Sequence, residues 1–195
     1  MSSAFDRKGV LIVADDGETA ELAVARFFVF MGVSGAGKST VAKAVADVLG
    51  GSFVEADELH PVENVETMRA GLPLTDDHRW PWLARVCEEA LARAPPVMVS
   101  CSALKQSYRS FIASRLPGVV FVHLTGPDEL IRHRMASRSG HFMPVSLLDS
   151  QLAVLEPPEE GPACQRLSIG GAQTDTIAQA VSICRRHLAG KGAGT

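Results

Sequence analysis

Gly32-Val33-Ser34-Gly35-Ala36-Gly37-Lys38-Ser39 sets glycines, a lysine and a hydroxyl at the spacing Gly, four residues, Gly-Lys-Ser/Thr. That spacing suits polyphosphate chemistry. Glycines let the backbone take positive φ and bring its N–H groups close to an anion. A following helix would add free N–H donors and a partial positive charge. Lys38 has the reach to meet β- and γ-phosphates, and the Ser39 hydroxyl can hold Mg²⁺. A second group lies in Glu55-Ala56-Asp57-Glu58-Leu59-His60-Pro61. Asp57 is a candidate to accept the proton of an attacking hydroxyl, and Glu55 to hold Mg²⁺ through water. His60 either contacts a substrate or caps the turn before Pro61. Lys105 and Arg109 fall four residues apart, on one face of a helix, and facing a cleft they would suit a carboxylate or phosphate. On an arbitrary helix such a pair faces solvent. Arg134 and Arg138 share a helical face just before Gly140 and His141. Arginines on a hinged segment can offset charge on a transferring phosphoryl group when the segment closes, and exclude water.

These residues need a frame. Phe27 to Met31 reads as a buried strand leading into the loop, and Thr40 to Leu49 as the helix after it. Ser52 to Glu55 reads as a second strand, expected beside the first. Val97 to Ser100, Val119 to Leu124 and Gln165 to Ile169 read as further strands. Between them come helices at Pro61–Ala70, Trp80–Ala94, Gln106–Arg115, Asp128–Arg138, Ser146–Leu155 and Thr176–Leu188. Asp76 to Arg79 reads as a polar turn, with Trp80 and Trp82 as core anchors. Strands apolar on both faces, alternating with helices, imply an α/β fold with a parallel sheet covered on both sides. Ligands then bind at the carboxyl ends of the strands.

At 195 residues the chain suits one domain with a real core, and 46% hydrophobic residues argue against disorder. A net charge of −3 and the lack of a basic run give no reason to expect nucleic acid. The four cysteines, Cys87, Cys101, Cys164 and Cys184, have neither zinc-site nor Cys-x-x-Cys spacing and read as reduced thiols of a cytoplasmic protein. No apolar run approaches the ~20 residues of a membrane span, and the N-terminus does not read as a signal peptide. Residues 1–26 are expected to be a poorly ordered extension, 27–188 the domain with a mobile lid around 134–145, and 189–195 a flexible tail.

Together the motifs resemble the gluconate kinase family, phosphate-loop small-molecule kinases related to shikimate and nucleoside monophosphate kinases. The matching stretches are Met31 to Ser39, Ala56 to Pro61, Asn64 with Met68, Gly71 to Arg79 with Pro81-Trp82-Leu83, Cys101 to Lys105 with Tyr108-Arg109, Arg134 to Phe142, and Gln151 with Leu155-Glu156-Pro157. They cover residues 28–188 in order. The resemblance implies ATP-dependent phosphorylation of D-gluconate at its 6-hydroxyl, Mg²⁺ and a homodimer. It implies that Gly32, Val33, Ser34, Gly35, Ala36, Gly37, Lys38, Ser39 and Thr40 bind ATP phosphates and Mg²⁺, with Gln173 beside the adenine. On the same resemblance, Lys38, Asp57, Arg134 and Arg138 are expected to carry the catalysis, with Asp57 as base, and His60, Arg79, Lys105, Arg109 and His141 to line the acceptor side. The family has Asp-Gly-Asp where this chain has Glu55-Ala56-Asp57. A kinase for another sugar acid or shikimate, and a non-catalytic nucleotide-binding regulator, are the alternatives. A GTPase is disfavoured, since no Asn-Lys-x-Asp motif occurs.

Overall fold

The computed structural model describes residues 26–137 and 146–190, apart from the side chains of Ser146 and Leu147. Five parallel strands form one sheet: β1 (Phe27–Met31), β2 (Ser52–Glu55), β3 (Val97–Ser100), β4 (Val120–Thr125) and β5 (Cys164–Ser168). Their order across the sheet is β2-β3-β1-β4-β5. The second strand is therefore not beside the first. β3 lies between them and puts Ser100 level with both Phe30 and Glu55.

Residues of β1 alternate between two cores, and this alternation explains a strand that is apolar throughout. Phe28 and Phe30 pack with Val41, Val45, Ala180 and Cys184 of the helices α1 (Lys38–Leu49) and α7 (Gln173–Leu188). Phe27, Val29 and Met31 pack with Leu83, Val86, Tyr108 and Ile112 of α3 (Asp76–Leu91) and α4 (Gln106–Arg115) on the other face. Phe28 through Met31 are fully buried. The remaining helices are α2 (Val62–Arg69), α5 (Asp128–Ala136) and α6 (Ser146–Val154), with a 3₁₀ turn at Ala56–Leu59. All four cysteines are buried free thiols, and burial pushes Cys101 and Cys184 up to about 12. No helix among the described residues is long and apolar enough to cross a membrane.

α3 begins at Asp76 rather than Trp80, so the expected polar turn is the first turn of a helix. Pro81 misleads here because proline marks first turns. The start lies upstream, where the Thr75 N–H donates to His78 Nδ1 at 3.2 Å and the Thr75 hydroxyl meets the same nitrogen at 2.9 Å. α7 likewise begins three residues early, which brings Gln173 to its first position. Trp82 is a core anchor as expected. It is buried, and its Nε1–H donates to the Ala56 carbonyl at 2.7 Å.

Candidate active site

β1 ends inside the sheet, and the chain turns through Gly32–Gly37 into α1. Gly35 takes φ +84°, and a Cβ there would lie 2.6 Å from Met135 Cγ on α5. Only glycine serves, because both the backbone sign and the close approach exclude a side chain. Gly32, at φ +134°, leaves no room for a Cβ beside the Leu124 carbonyl of β4. Gly37 caps α1 without a side-chain hydrogen bond, so the first-turn N–H groups are not consumed by a cap. Lys38 starts the helix, is largely buried, and donates from Nζ across the loop to the Val33 carbonyl at 3.1 Å.

The loop separates two cavities. The larger, about 470 Å³, is lined by Ser34, Lys38, Ser39, Glu55, Asp57 and His60, among others. The smaller, about 240 Å³, is lined by Gly35, Ala36, Thr40, Arg134 and Gln173. Residues far apart in sequence thus fall on one side of the loop or on the other. Ser39 Oγ and Ser100 Oγ are 3.2 Å apart, bridging α1 and β3. Burial raises the pKa of Glu55, opposed by hydrogen bonds from Ser39 and Ser100 and reinforced by the charge of Asp57. Ala56, which stands for the glycine of the family pattern, is fully buried against the core, so its methyl is accommodated.

His60 lies flat on Trp82, with ring centroids 4.1 Å apart and planes 13° apart. Burial lowers its pKa to about 4; the nearby Asp57 opposes this and Arg79 adds to it. Arg134, on α5, donates to the Ile169 carbonyl at 3.2 Å and so sits over the smaller cavity.

Two of the expected acceptor cations are engaged elsewhere. Arg109 is not on the cleft. It is buried, donates to the carbonyls of Ala103 and Leu104 at 3.1 and 2.9 Å and to Gln106 Oε1 at 2.9 Å, and borders a separate groove with Glu156 and Cys164. Its spacing from Lys105 does not put the two on one face, because Lys105 precedes the helix as its cap residue in extended conformation. Lys105 pairs with Asp76 at 2.7 Å, and Asp76 also accepts from the Tyr108 hydroxyl. Arg79 stands 5.7 Å from the Tyr108 ring centroid and has no carboxylate partner among the described residues. Arg138 and His141, with most of the expected lid, lie outside the described residues, as do residues 1–25.

Two residues with no role assigned from sequence enter the site. Gln151 of α6 accepts the Ser34 N–H at 2.7 Å and donates to the Ser34 hydroxyl at 3.1 Å. Asn64 of α2 donates towards His60 Nδ1 at 3.3 Å. Both occur in the family pattern. Their partners lie across the fold or one helical turn away, and nothing in their own spacing signals the contact.

A family model for an AAA domain matches residues 27–158. The chain is 46% identical over 147 residues to a gluconokinase of Gluconobacter oxydans, covering 73% of this chain and 82% of that one. It is 42% identical over 135 residues to the thermosensitive gluconokinase of Escherichia coli, covering 68% and 72%. The crystal structure of a gluconokinase from Sinorhizobium meliloti superposes with a TM-score of 0.73 at 44% identity, over 87% of this chain and 94% of that one. With its phosphate loop, parallel sheet and divided cleft, the chain belongs to the gluconokinase family of phosphate-loop kinases.

Proposed function

We propose that the protein transfers the γ-phosphoryl group of ATP to the 6-hydroxyl of D-gluconate, giving 6-phospho-D-gluconate and ADP. The observation that carries this is the convergence of Lys38, Ser39, Asp57 and His60 on one cavity beside the phosphate loop, in a chain of this family. The nucleotide phosphates rest on the loop and the α1 N-terminus, with the base towards Gln173. Asp57 orients the attacking hydroxyl and takes its proton, so that transfer runs in line with no covalent intermediate. Lys38 and Arg134 offset charge on the phosphoryl oxygens, and Arg138 joins them from the lid. Among the described residues, Arg79 is the acceptor-side cation held neither by a carboxylate nor by backbone carbonyls, so it is our choice to meet the gluconate carboxylate.

Hard oxygen donors suit Mg²⁺, and the hydroxyl of Ser39 with the carboxylate of Glu55 supplies them at the phosphate end of the cavity. No cluster of three acidic, His or Cys ligands occurs among the described residues. Ser39 and Glu55 would hold Mg²⁺ there, and its charge would offset that of the phosphates. A homodimer, which rests on the family resemblance, and a cytoplasmic location, which rests on reading the four cysteines as reduced thiols, belong to the same proposal.

The test is turnover by purified protein with Mg·ATP across D-gluconate, other aldonates and shikimate. Stoichiometric ADP and 6-phosphogluconate, with gluconate the fastest acceptor, are expected. Faster turnover of another acid would remove the substrate assignment. ATP binding with no acceptor-stimulated ADP release would make the protein a nucleotide-binding regulator.

A further inference from the structure

The side chains around His60 determine which of its nitrogens carries a proton. Asn64 is almost fully buried on α2, and its amide nitrogen lies 3.1 Å from the His78 carbonyl and 3.3 Å from His60 Nδ1. A carbonyl only accepts, so the atom facing His78 must be the NH₂ and not the amide oxygen. That group has two hydrogens, and both now have acceptors. An NH₂ cannot accept in return, so Nδ1 of His60 must present its lone pair. In a neutral imidazole the proton then resides on Nε2. Protonating the ring would aim an Nδ1–H at the Asn64 NH₂, donor against donor. The ring plane is held too, stacked on Trp82, whose indole is pinned to the Ala56 carbonyl.

His60 belongs to the wall of the cavity that also holds Asp57 and Lys38. Among the described residues Nε2 has no hydrogen-bond partner. We infer that His60 is a neutral donor, fixed as its Nε2–H tautomer by Asn64, that hydrogen-bonds a hydroxyl oxygen of the polyol acceptor. Asn64 is a positioning residue acting through His60. The inference rests on the kinase reading for the identity of the acceptor. It assigns His60 to the hydroxylated chain and not to the carboxylate, which an uncharged ring attracts weakly. The charged groups acting on the ring are Asp57 from the 3₁₀ turn and Arg79 from α3, and Glu58 and Lys38 line the same cavity. Asp57 favours a charged ring and Arg79 opposes it.

Long-range ¹H–¹⁵N spectra of the full-length protein test the tautomer directly, with the His60 signals assigned by their loss in His60→Leu. The Nε2–H pattern is expected at pH 7 and should persist to about pH 5. An Nδ1–H or charged ring at pH 7 overturns the inference whatever the activity. Kinetics test the contact. His60→Leu should raise KM for D-gluconate about 10-fold, with KM for ATP unchanged, and His60→Gln, which keeps a donor, should recover most of that loss. An unchanged KM for gluconate in His60→Leu overturns the hydroxyl contact. Asn64→Asp supplies an acceptor in place of the NH₂, so it should switch the ring to Nδ1–H and move the acid limb of kcat/KM for gluconate to higher pH. A retained Nε2–H pattern in folded Asn64→Asp would overturn the role of Asn64. If wild-type protein ignores gluconate yet shows the Nε2–H pattern, the substrate assignment fails while the tautomer stands.

Discussion

Two carboxylates two residues apart take different surroundings in this cleft. Glu55 closes β2 with its carboxylate among hydroxyls, close to Ser39 and Ser100, and its burial favours the protonated form. A cation arriving at Ser39 would reverse that preference by favouring the carboxylate. Asp57 is two residues further on, in the 3₁₀ segment, and lines the cavity with His60. If it serves as base, its charge and geometry matter at the moment of transfer rather than in nucleotide binding. Asp57→Asn should therefore lower kcat about 10²–10⁴-fold while leaving ATP affinity within a few-fold. Steady-state kinetics alongside ATP titration checks this, and an equal loss of nucleotide affinity would make Asp57 part of the metal site instead.

At the scale of elements, the site is held by contacts between segments remote in sequence. α5 lies against the loop so closely that Gly35 has no room for a Cβ, and the same helix carries Arg134. α6 reaches the loop through the two hydrogen bonds between Gln151 and Ser34. After β3 the chain passes through Ala103, whose φ of +43° is unfavourable for a residue with a Cβ. Arg109 grips the carbonyls of Ala103 and Leu104 and so holds this turn from α4. Arg109 thus braces this turn and lies off the cleft. Arg109→Met would leave those carbonyls short of donors, at about 1–3 kcal/mol. Thermal unfolding should show Tm lower by about 3–10 °C, with KM for D-gluconate unchanged. A raised KM at normal Tm would return Arg109 to the acceptor side.

At the scale of the whole molecule, the sheet order brings Ser39, Ser100 and Glu55 together at the carboxyl ends of β1, β2 and β3, where ligands bind in open parallel sheets. Its interior also sets a pH limit. His123 in β4 is buried, and burial, with Arg166 and Arg109 adding, lowers its pKa to about 4, as burial does for His60. Below pH 6.5 the unfolded chain binds protons that the folded chain refuses. The stability these groups contribute is therefore present above 6.5 and is lost as pH falls towards 4. Glu55 runs the opposite way, since its raised pKa favours the folded state at low pH. Tm should fall between pH 6.5 and 4.5, and His123→Gln should flatten that slope even if its Tm at neutral pH is lower. Parallel slopes for the two proteins would show that His123 does not drive the transition.

Local signals made much of this legible in the sequence. The phosphate loop could be read because its function depends on backbone sign and on a helix start, both coded by consecutive residues. The strands could be read because burial on both faces leaves an unbroken apolar run, as in Phe27 to Met31. The acidic turn after β2 was legible by composition, and the cleft does receive Glu55, Asp57 and His60. What the tertiary structure decided was which partner each long side chain meets. Lys105 and Arg109 look alike in sequence, yet one pairs with Asp76 and the other binds carbonyls away from the cleft. Sheet order put β3, not β2, next to β1. The proton position on His60 depends on a carbonyl in α3 that orients an amide in α2. A hydrogen bond is specified by the three-dimensional placement of donor and acceptor, and residue type and spacing carry that only where chain neighbours are also neighbours in space.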